Sequence, residues 1–200
     1  MNSVQPSQSA PPERQVWFEP LTLADLDVVW DTEKQAYTHP WTLGNFRDSL
    51  QSGYPAQMLV TPVLPGDAPT LRTASGHMLL GYWVAMQVLD EVHLLNIAVA
   101  PAHRRQGWAQ AMLHGLVASA LTNQAQWLWL EVRTSNTPAQ ALYQGFGFQR
   151  MGVRKQYYPA GNGQREDALV MSLNLHARAT ALAEEKGIPY ESAVRHLINQ

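Results

Sequence analysis

The string Arg104-Arg105-Gln106-Gly107-Trp108-Ala109 puts two guanidinium groups and a glycine where an apolar strand pattern gives way to a helical one. Glycine lets a backbone approach a ligand closely, and the first amides of a helix lack carbonyl partners and carry partial positive charge. Such a turn suits an anion, pyrophosphate included, with arginine donors to grip its oxygens. A solvated corner bearing two arginines fits the same string. It has neither the Lys-Ser/Thr ending of a Walker loop nor the glycine spacing of a dinucleotide fingerprint.

Three residues downstream could do proton or amide chemistry. Glu131 is the one carboxylate in the apolar run Trp127–Val132, where burial would raise its pKa toward that of a useful general base. It could equally face solvent at the strand end or pair with Arg133. Tyr143 shares a helix face with Ala139 and Leu142, so its ring belongs to the core or its hydroxyl is offered as an acid. Asn136 precedes a Thr-Pro helix start, as a turn or capping residue or as an amide partner for a ligand. The scattered histidines have no metal-site spacing; His93 is expected as a hydrogen-bonded strand residue, with approach to an acceptor amine as the alternative, and His103 at the surface. With no cysteine among the 200 residues, thiolate nucleophiles, thiolate metal sites and disulfides are excluded.

These residues need elements to hold them. Hydrophobic residues make up 46% and charged residues 15%, with net charge −2, so a globular protein is expected, without broad attraction to nucleic acid or anionic membrane. Residues 1–14, polar and proline-rich, read as a disordered leader without a signal peptide's apolar run, and no stretch reaches the ~18 apolar residues of a spanning helix. The location expected is cytoplasmic. Val16–Phe18 begins a strand. Thr22, with Asp25 three residues on, caps a helix to about Ala36, and His39-Pro40-Trp41 separates it from a shorter helix that Thr42 opens. Strand patterns follow at 57–61, 78–88 and 92–99, the first two joined by a long Pro/Gly/Ser/Thr-rich loop, 62–77. Ala109, Met112, Leu113, Leu116, Val117 and Ala120 describe an amphipathic helix beginning near Arg105–Gly107. After strand 127–132, Thr137 as N-cap, Pro138 at N1 and Gly145 at C′ bound another helix. Strands 148–155 and 168–173 and two helical pieces split at 187–189 complete the chain. The order is β-α-α-β-β-β-α-β-α-β-β, an α/β pattern with an antiparallel meander and one βαβ crossover.

In this context the loop resembles the cofactor motif of the GNAT superfamily, Arg/Gln-x-x-Gly-x-Gly/Ala, met here by Arg104, Gly107 and Ala109. The resemblance implies an acyl-CoA N-acyltransferase fold: a central, mostly antiparallel sheet with one splayed parallel pair and flanking helices. It also implies acetyl-CoA as co-substrate. Ile97, Ala98 and Val99 would meet the pantetheine arm, with Arg105, Gln106, Gly107, Trp108, Ala109 and Gln110 around the phosphates. The strings LNIAV, LWLEVRTSN, ALYQGFGF, KQYYPAGNGQREDALVM and HPW narrow this to the ribosomal-protein-alanine N-acetyltransferases, over roughly 16–173. The implied activity is acetylation of the N-terminal alanine of a small-subunit ribosomal protein. Glu131 would be the base, directly or through water, Tyr143 the proton donor to the coenzyme A thiolate, and Asn136 an acetyl-CoA contact. No metal is implied. Tyr157 and Tyr158, expected on a loop before Pro159, and Trp41 would wall the peptide groove, and Arg150, Arg154 and Lys155 form a basic segment facing solvent or an acidic ligand. A GNAT domain over 15–174 and a helical extension over 175–200 are expected, as a monomer or weak dimer. Acetylation of lysine side chains or small amines, and a non-catalytic acyl-CoA-binding module, are the competing readings.

Overall fold

The computed structural model describes residues 15–64, 66–67 and 69–198. The leader expected over 1–14 lies outside the described residues. Seven strands form one sheet, β1 (Trp17–Pro20), β2 (Ala56–Thr61), β3 (Met78–Val88), β4 (Glu91–Val99), β5 (Trp127–Arg133), β6 (Gln149–Pro159) and β7 (Arg165–Asn174), in spatial order β1-β2-β3-β4-β5-β7-β6. Every neighbouring pair is antiparallel except β4–β5, which are parallel. That pair is the product of the single crossover through α3 (Trp108–Thr122).

The helical order is also as expected: α1 (Leu26–Ala36), α2 (Leu43–Gln51), α3, α4 (Thr137–Phe146), α5 (Leu175–Lys186) and α6 (Tyr190–Ile198). Asp25 accepts from the amide and hydroxyl of Thr22, closing a 3₁₀ turn over Leu23–Asp25 that leads into α1. Two apolar clusters sandwich the sheet. One joins α3, α4, α5 and α6 through Met112, Leu116, Phe146, Ala179 and Leu197 to strands from β2 to β7. The other joins α1 and α2 through Val29 and Phe46 to β2, β3 and β4, and takes no residue from β5, β6 or β7. The side chains of β5 on this second face are therefore free of helical cover, which is where Glu131 points.

A bulge in β4 prepares the opening. Val84 pairs with Asn96 and Ala85 with Leu94, leaving Leu95 extra. One added residue reverses the facing of everything beyond it. Val92 and Leu94 pack toward α3; past the bulge it is Ile97 and Val99 that do so, and Asn96 and Ala98 turn toward α1. The 62–77 loop is anchored: the Ala74 amide donates to Asp25, Ser75 donates to Glu19, and Leu71 is buried with Met78 and Ala100. Among the described residues no helix is long and apolar enough to cross a membrane.

Candidate active site

The parallel pairing of β4 with β5 runs from Glu91–Trp127 to Leu94–Leu130 and goes no further. Beyond it the strands fork, with Leu95–Val99 on one prong and Glu131–Arg133 on the other. Strand main chain that has lost a neighbour keeps unpaired donors and acceptors, so this prong can take an extended ligand as a strand would take a strand.

A cleft of about 550 Å³ opens along the β4 prong. Ile97, Ala98, Val99, Arg104, Arg105, Gly107, Trp108, Ala109, Gln110, Asn136 and Tyr143, all singled out in the sequence, line it. Gln106 does not; its side chain instead accepts from Trp108 Nε1 at 3.1 Å and braces the loop. The helix starts at Trp108, one turn-residue later than the sequence pattern suggests, because Gly107 caps it with φ +86° and Arg105 also lies at φ +60°. These two left-handed residues turn the chain at the cleft, and Gly107, Trp108, Ala109 and Gln110, the start of α3, line it. Arg104 reaches back to the carbonyl of Ala36 at 3.2 Å, tying the loop to the end of α1.

On the other prong, Asn136 rather than Thr137 is the N-cap of α4, its Oδ1 accepting from the Ala139 amide at 3.2 Å. The side chain of asparagine reaches the third amide better than that of a threonine already inside the turn, which puts Pro138 at the second helical position. The helix ends at Gly147, φ +111°, and not at Gly145, which is helical. That longer helix buries Tyr143 against Phe148, with ring centroids 5.7 Å apart, while the ring still lines the cleft. Burial pushes the Tyr143 hydroxyl up to about 12, so it holds its proton at neutral pH.

Glu131 stands at the fork, its side chain 16% exposed, and Oε1 meets Arg154 Nη2 of β6 at 3.1 Å. Arg133 is paired elsewhere, with Glu166 at 3.2 Å. Tyr158 donates to the main-chain carbonyl of Glu131 at 2.9 Å and lies beneath the Arg133 guanidinium, 4.5 Å from the ring centre. Burial holds the Tyr158 hydroxyl well above the usual phenol range, with the Tyr157 ring and Glu131 adding to it. Tyr157, by contrast, is 39% exposed. Neither tyrosine is on a loop. Both lie in β6, which continues through a wide bulge between Arg154 and Tyr158. Asp167 makes that possible by accepting from the Gln156 amide and Lys155 Nζ, and Arg165 donates to the carbonyls of Gln156 and Tyr157. Trp41 is half-buried, edge-on to Phe46 at 5.2 Å in the α1/α2 cluster, and does not line the cleft.

Sequence reasoning missed three participants. Tyr37, the first residue past α1, lines the cleft and donates to the Ile97 carbonyl. Burial raises its hydroxyl above the usual range, and Tyr143, Glu33 and Tyr158 lie near enough to add to the effect. Nothing local marks it, since only the fold brings the end of α1 to the β4 prong. Glu166 accepts from the Ser135 amide at 2.6 Å and from Thr134 and Arg133, which fixes the turn carrying Asn136. Its signal was the quoted string around RED. Glu33, buried in α1, accepts from the Trp41 amide, Asn96 and Tyr82.

The cleft brings together the start of α3, the main chain of Ile97–Val99 and the Tyr143 phenol, while Glu131 stands at the fork and is not among the residues that line it. The family model "Acetyltransferase (GNAT) family" matches residues 26–148. The [ribosomal protein bS18]-alanine N-acetyltransferase of Escherichia coli K12 is 35% identical over 153 residues, 76% of this chain and 93% of that protein. Its namesake from Haemophilus ducreyi is 32% identical over 158 residues, 79% and 99% of the two chains. The crystal structure of the Escherichia coli ribosomal-protein-S18-alanine N-acetyltransferase superposes with a TM-score of 0.68 at 32% identity, covering 80% of this chain and 94% of that one. A family match over more than half the chain, relatives above 30% identity along nearly their whole length, and a superposable fold lead to one assignment. The chain is an N-acetyltransferase of the GNAT family and belongs with the ribosomal-protein-alanine N-acetyltransferases.

Proposed function

We propose that this protein transfers an acetyl group from acetyl-CoA to the N-terminal α-amine of a protein, an N-terminal alanine of a small-subunit ribosomal protein being the preferred acceptor. The observation that carries the reading is the fork, where Glu131 and the buried Tyr143 stand on the β5 side of an open prong of β4. The residues present fit the co-substrate. Arg104, Arg105 and the amides following Gly107 suit the pyrophosphate. Ile97–Val99 can pair with pantetheine amides, and the Asn136 amide nitrogen remains available beside them while its oxygen caps α4. When bound, acetyl-CoA supplies an acetyl group activated as a thioester.

The chain's own groups then divide the proton traffic. Glu131, directly or through one water, takes the proton that the α-ammonium must lose before its nitrogen can attack. The amides of the open β4 prong near Val99 polarise the acetyl carbonyl. As the nitrogen–carbon bond forms and the carbon–sulfur bond breaks, Tyr143 offers its proton to sulfur. The second proton shed by the acylated nitrogen passes through water to restore the phenol, while Glu131 releases its own to solvent. A phenol at about 12 is a weak acid toward an ordinary thiol of about 8.5. The same burial that raises the phenol also raises a thiolate in that cleft, so donation proceeds as charge builds on sulfur and not ahead of it. Tyr157, Tyr158 and Trp41 supply the walls of the acceptor groove, aromatic surfaces costing little side-chain entropy to order.

The test gives purified protein acetyl-CoA and peptides beginning with Ala, Ser or Met, one blocked peptide carrying only an internal lysine, and a small polyamine, with products read by mass. A gain of 42 Da, the mass of roughly one acetyl in place of hydrogen, on the α-amine of the Ala peptide is expected. Acetylation confined to lysine or polyamine would transfer the site to those acceptors. Binding of acetyl-CoA without any product would make the chain a binding module.

A further inference from the structure

Glu33 is a deeply buried carboxylate, 1% exposed, in the last turns of α1. A buried charged group is retained only with dedicated partners, and this one has three, each from a different element. Oε1 accepts from the Trp41 amide at 2.8 Å and from Asn96 Nδ2 at 3.1 Å, and Oε2 accepts from the Tyr82 hydroxyl. Burial and the neighbouring Glu33 keep that phenol well above its usual range, hence a donor. The Asn96 amide spends its nitrogen on Glu33, while its buried oxygen has no partner among the described residues. Asn96 is the residue that the β4 bulge turns toward α1. From the same helix end, Tyr37 grips the Ile97 carbonyl next along the strand.

We infer that Glu33 is a positioning residue for the acceptor: it ties the His39-Pro40-Trp41 turn to the bulged strand, setting the distance between the Trp41 wall and the acetyl-bearing prong Ile97–Val99. This rests on the acceptor groove proposed above. The group that meets the substrate is Trp41; Glu33 acts through it. What Glu33 supplies is acceptor geometry, hydrogen-bond acceptance at fixed points, and not a proton. Glutamine can do the same. Its Oε1 accepts from Trp41 and Asn96 while its amide nitrogen donates to Tyr82, whose hydroxyl can reverse its role.

The full-length protein and its Glu33→Gln, Glu33→Ala and Asn96→Ala variants are compared in three measurements. These are amide deuterium exchange over residues 37–43, calorimetric affinity for acetyl-CoA, and kcat and KM for the Ala peptide. In Glu33→Ala, exchange over 37–43 and the peptide KM each rise by about tenfold, with kcat within about threefold and acetyl-CoA affinity within about twofold of the parent. Glu33→Gln restores both. Asn96→Ala gives the same signature at roughly a third of the size, and decides the matter should Glu33→Ala not fold. The inference is overturned if Glu33→Gln is as impaired as Glu33→Ala, if acetyl-CoA affinity falls along with the peptide's, or if exchange over 37–43 is unmoved. Should the parent acetylate no α-amine, the functional reading fails on its own, and the exchange measurement still judges the tether.

Discussion

Arg154 Nη2 lies 3.1 Å from Glu131 Oε1, so the carboxylate at the fork is held from β6 by a guanidinium that is itself 55% exposed. An ammonium group arriving at Glu131 has to share or replace that partner, and the exposed side of the pair is where water screens it most.

Glu131→Gln removes the base while keeping its shape, and turnover with the Ala peptide falls by about a hundredfold or more, with acetyl-CoA affinity nearly unchanged. Arg154→Ala, which only frees the carboxylate to wander, lowers kcat by less than about tenfold. The two act through one group, so the double variant is no slower than Glu131→Gln alone. Steady-state kinetics with calorimetry checks all three; additive losses would mean that Arg154 serves the reaction separately.

Tyr143→Phe removes the hydroxyl from a buried ring that lines the cleft without altering the ring contact with Phe148. Turnover falls by about a hundredfold while acetyl-CoA affinity holds. Burial pushes the parent hydroxyl up to about 12, the protonated form being the working one. A group raised in this way keeps its proton throughout the neutral and mildly alkaline range. The kcat profile of the parent therefore has no descending limb from Tyr143 below about pH 10, and a limb nearer pH 8 would assign the proton donor to another group.

Gly107 has φ +86° and caps α3 with its amides at the cleft mouth. No atom lies within 4 Å of where a Cβ would stand, so the obstacle to a side chain there is the backbone conformation and not crowding. Gly107→Ala costs about 1 kcal/mol in the left-handed region. Relief of that strain moves the amides of Trp108 and Ala109 away from the anion. Acetyl-CoA affinity drops by roughly fivefold to tenfold with the peptide KM unchanged, measured by calorimetry on each substrate.

That the residues expected on the cofactor side, Gln106 apart, would share one cleft wall was legible because their signals are local. A glycine, a helix start and arginines within one short string report on each other, and the whole element order followed from periodicity and turn residues. The helix bounds at Asn136 and Gly147 were missed because Thr-Pro and Gly145 are locally plausible signals. What decides is which side chain reaches the Ala139 amide and which glycine can leave the helix at φ +111°. The acceptor side was less legible. Tyr157 and Tyr158 looked like loop residues because the cross-strand partners that hold them in β6, Asp167 and Arg165, lie across a turn. Glu131 was correctly placed at the end of an apolar strand. The sequence offered Arg133 as its partner, but Arg133 pairs with Glu166, and only the β6–β7–β5 order brings Arg154 across to Glu131. Tyr37 and Glu33 were invisible for the same reason, their partners being Ile97 and Asn96 on a strand reached through one intervening helix and two strands.

The C-terminal helices give the fold a pH-dependent seam. His114 of α3 lies edge-on to Phe146, ring centroids 4.9 Å apart, with Nδ1 buried and without a partner among the described residues. Arg178 of α5 also lies over the Phe146 ring, 4.4 Å from its centre, and donates to the Phe146 carbonyl. Burial, and then the positive charge of Arg178, hold the His114 imidazole below its ordinary value. The unfolded chain thus takes up a proton there, near about pH 6.5, before the folded chain does, and folding stability declines as pH falls through that value toward the depressed one. In the opposite direction, above about pH 7, both states are neutral at this site and the contribution is constant. His114→Gln cannot take up the proton. Its melting temperature starts lower, because a ring contact is lost, but falls less than the parent's between about pH 7.5 and 5.5 in thermal denaturation followed by circular dichroism. Parallel declines in parent and variant would show that the acid sensitivity arises at another group.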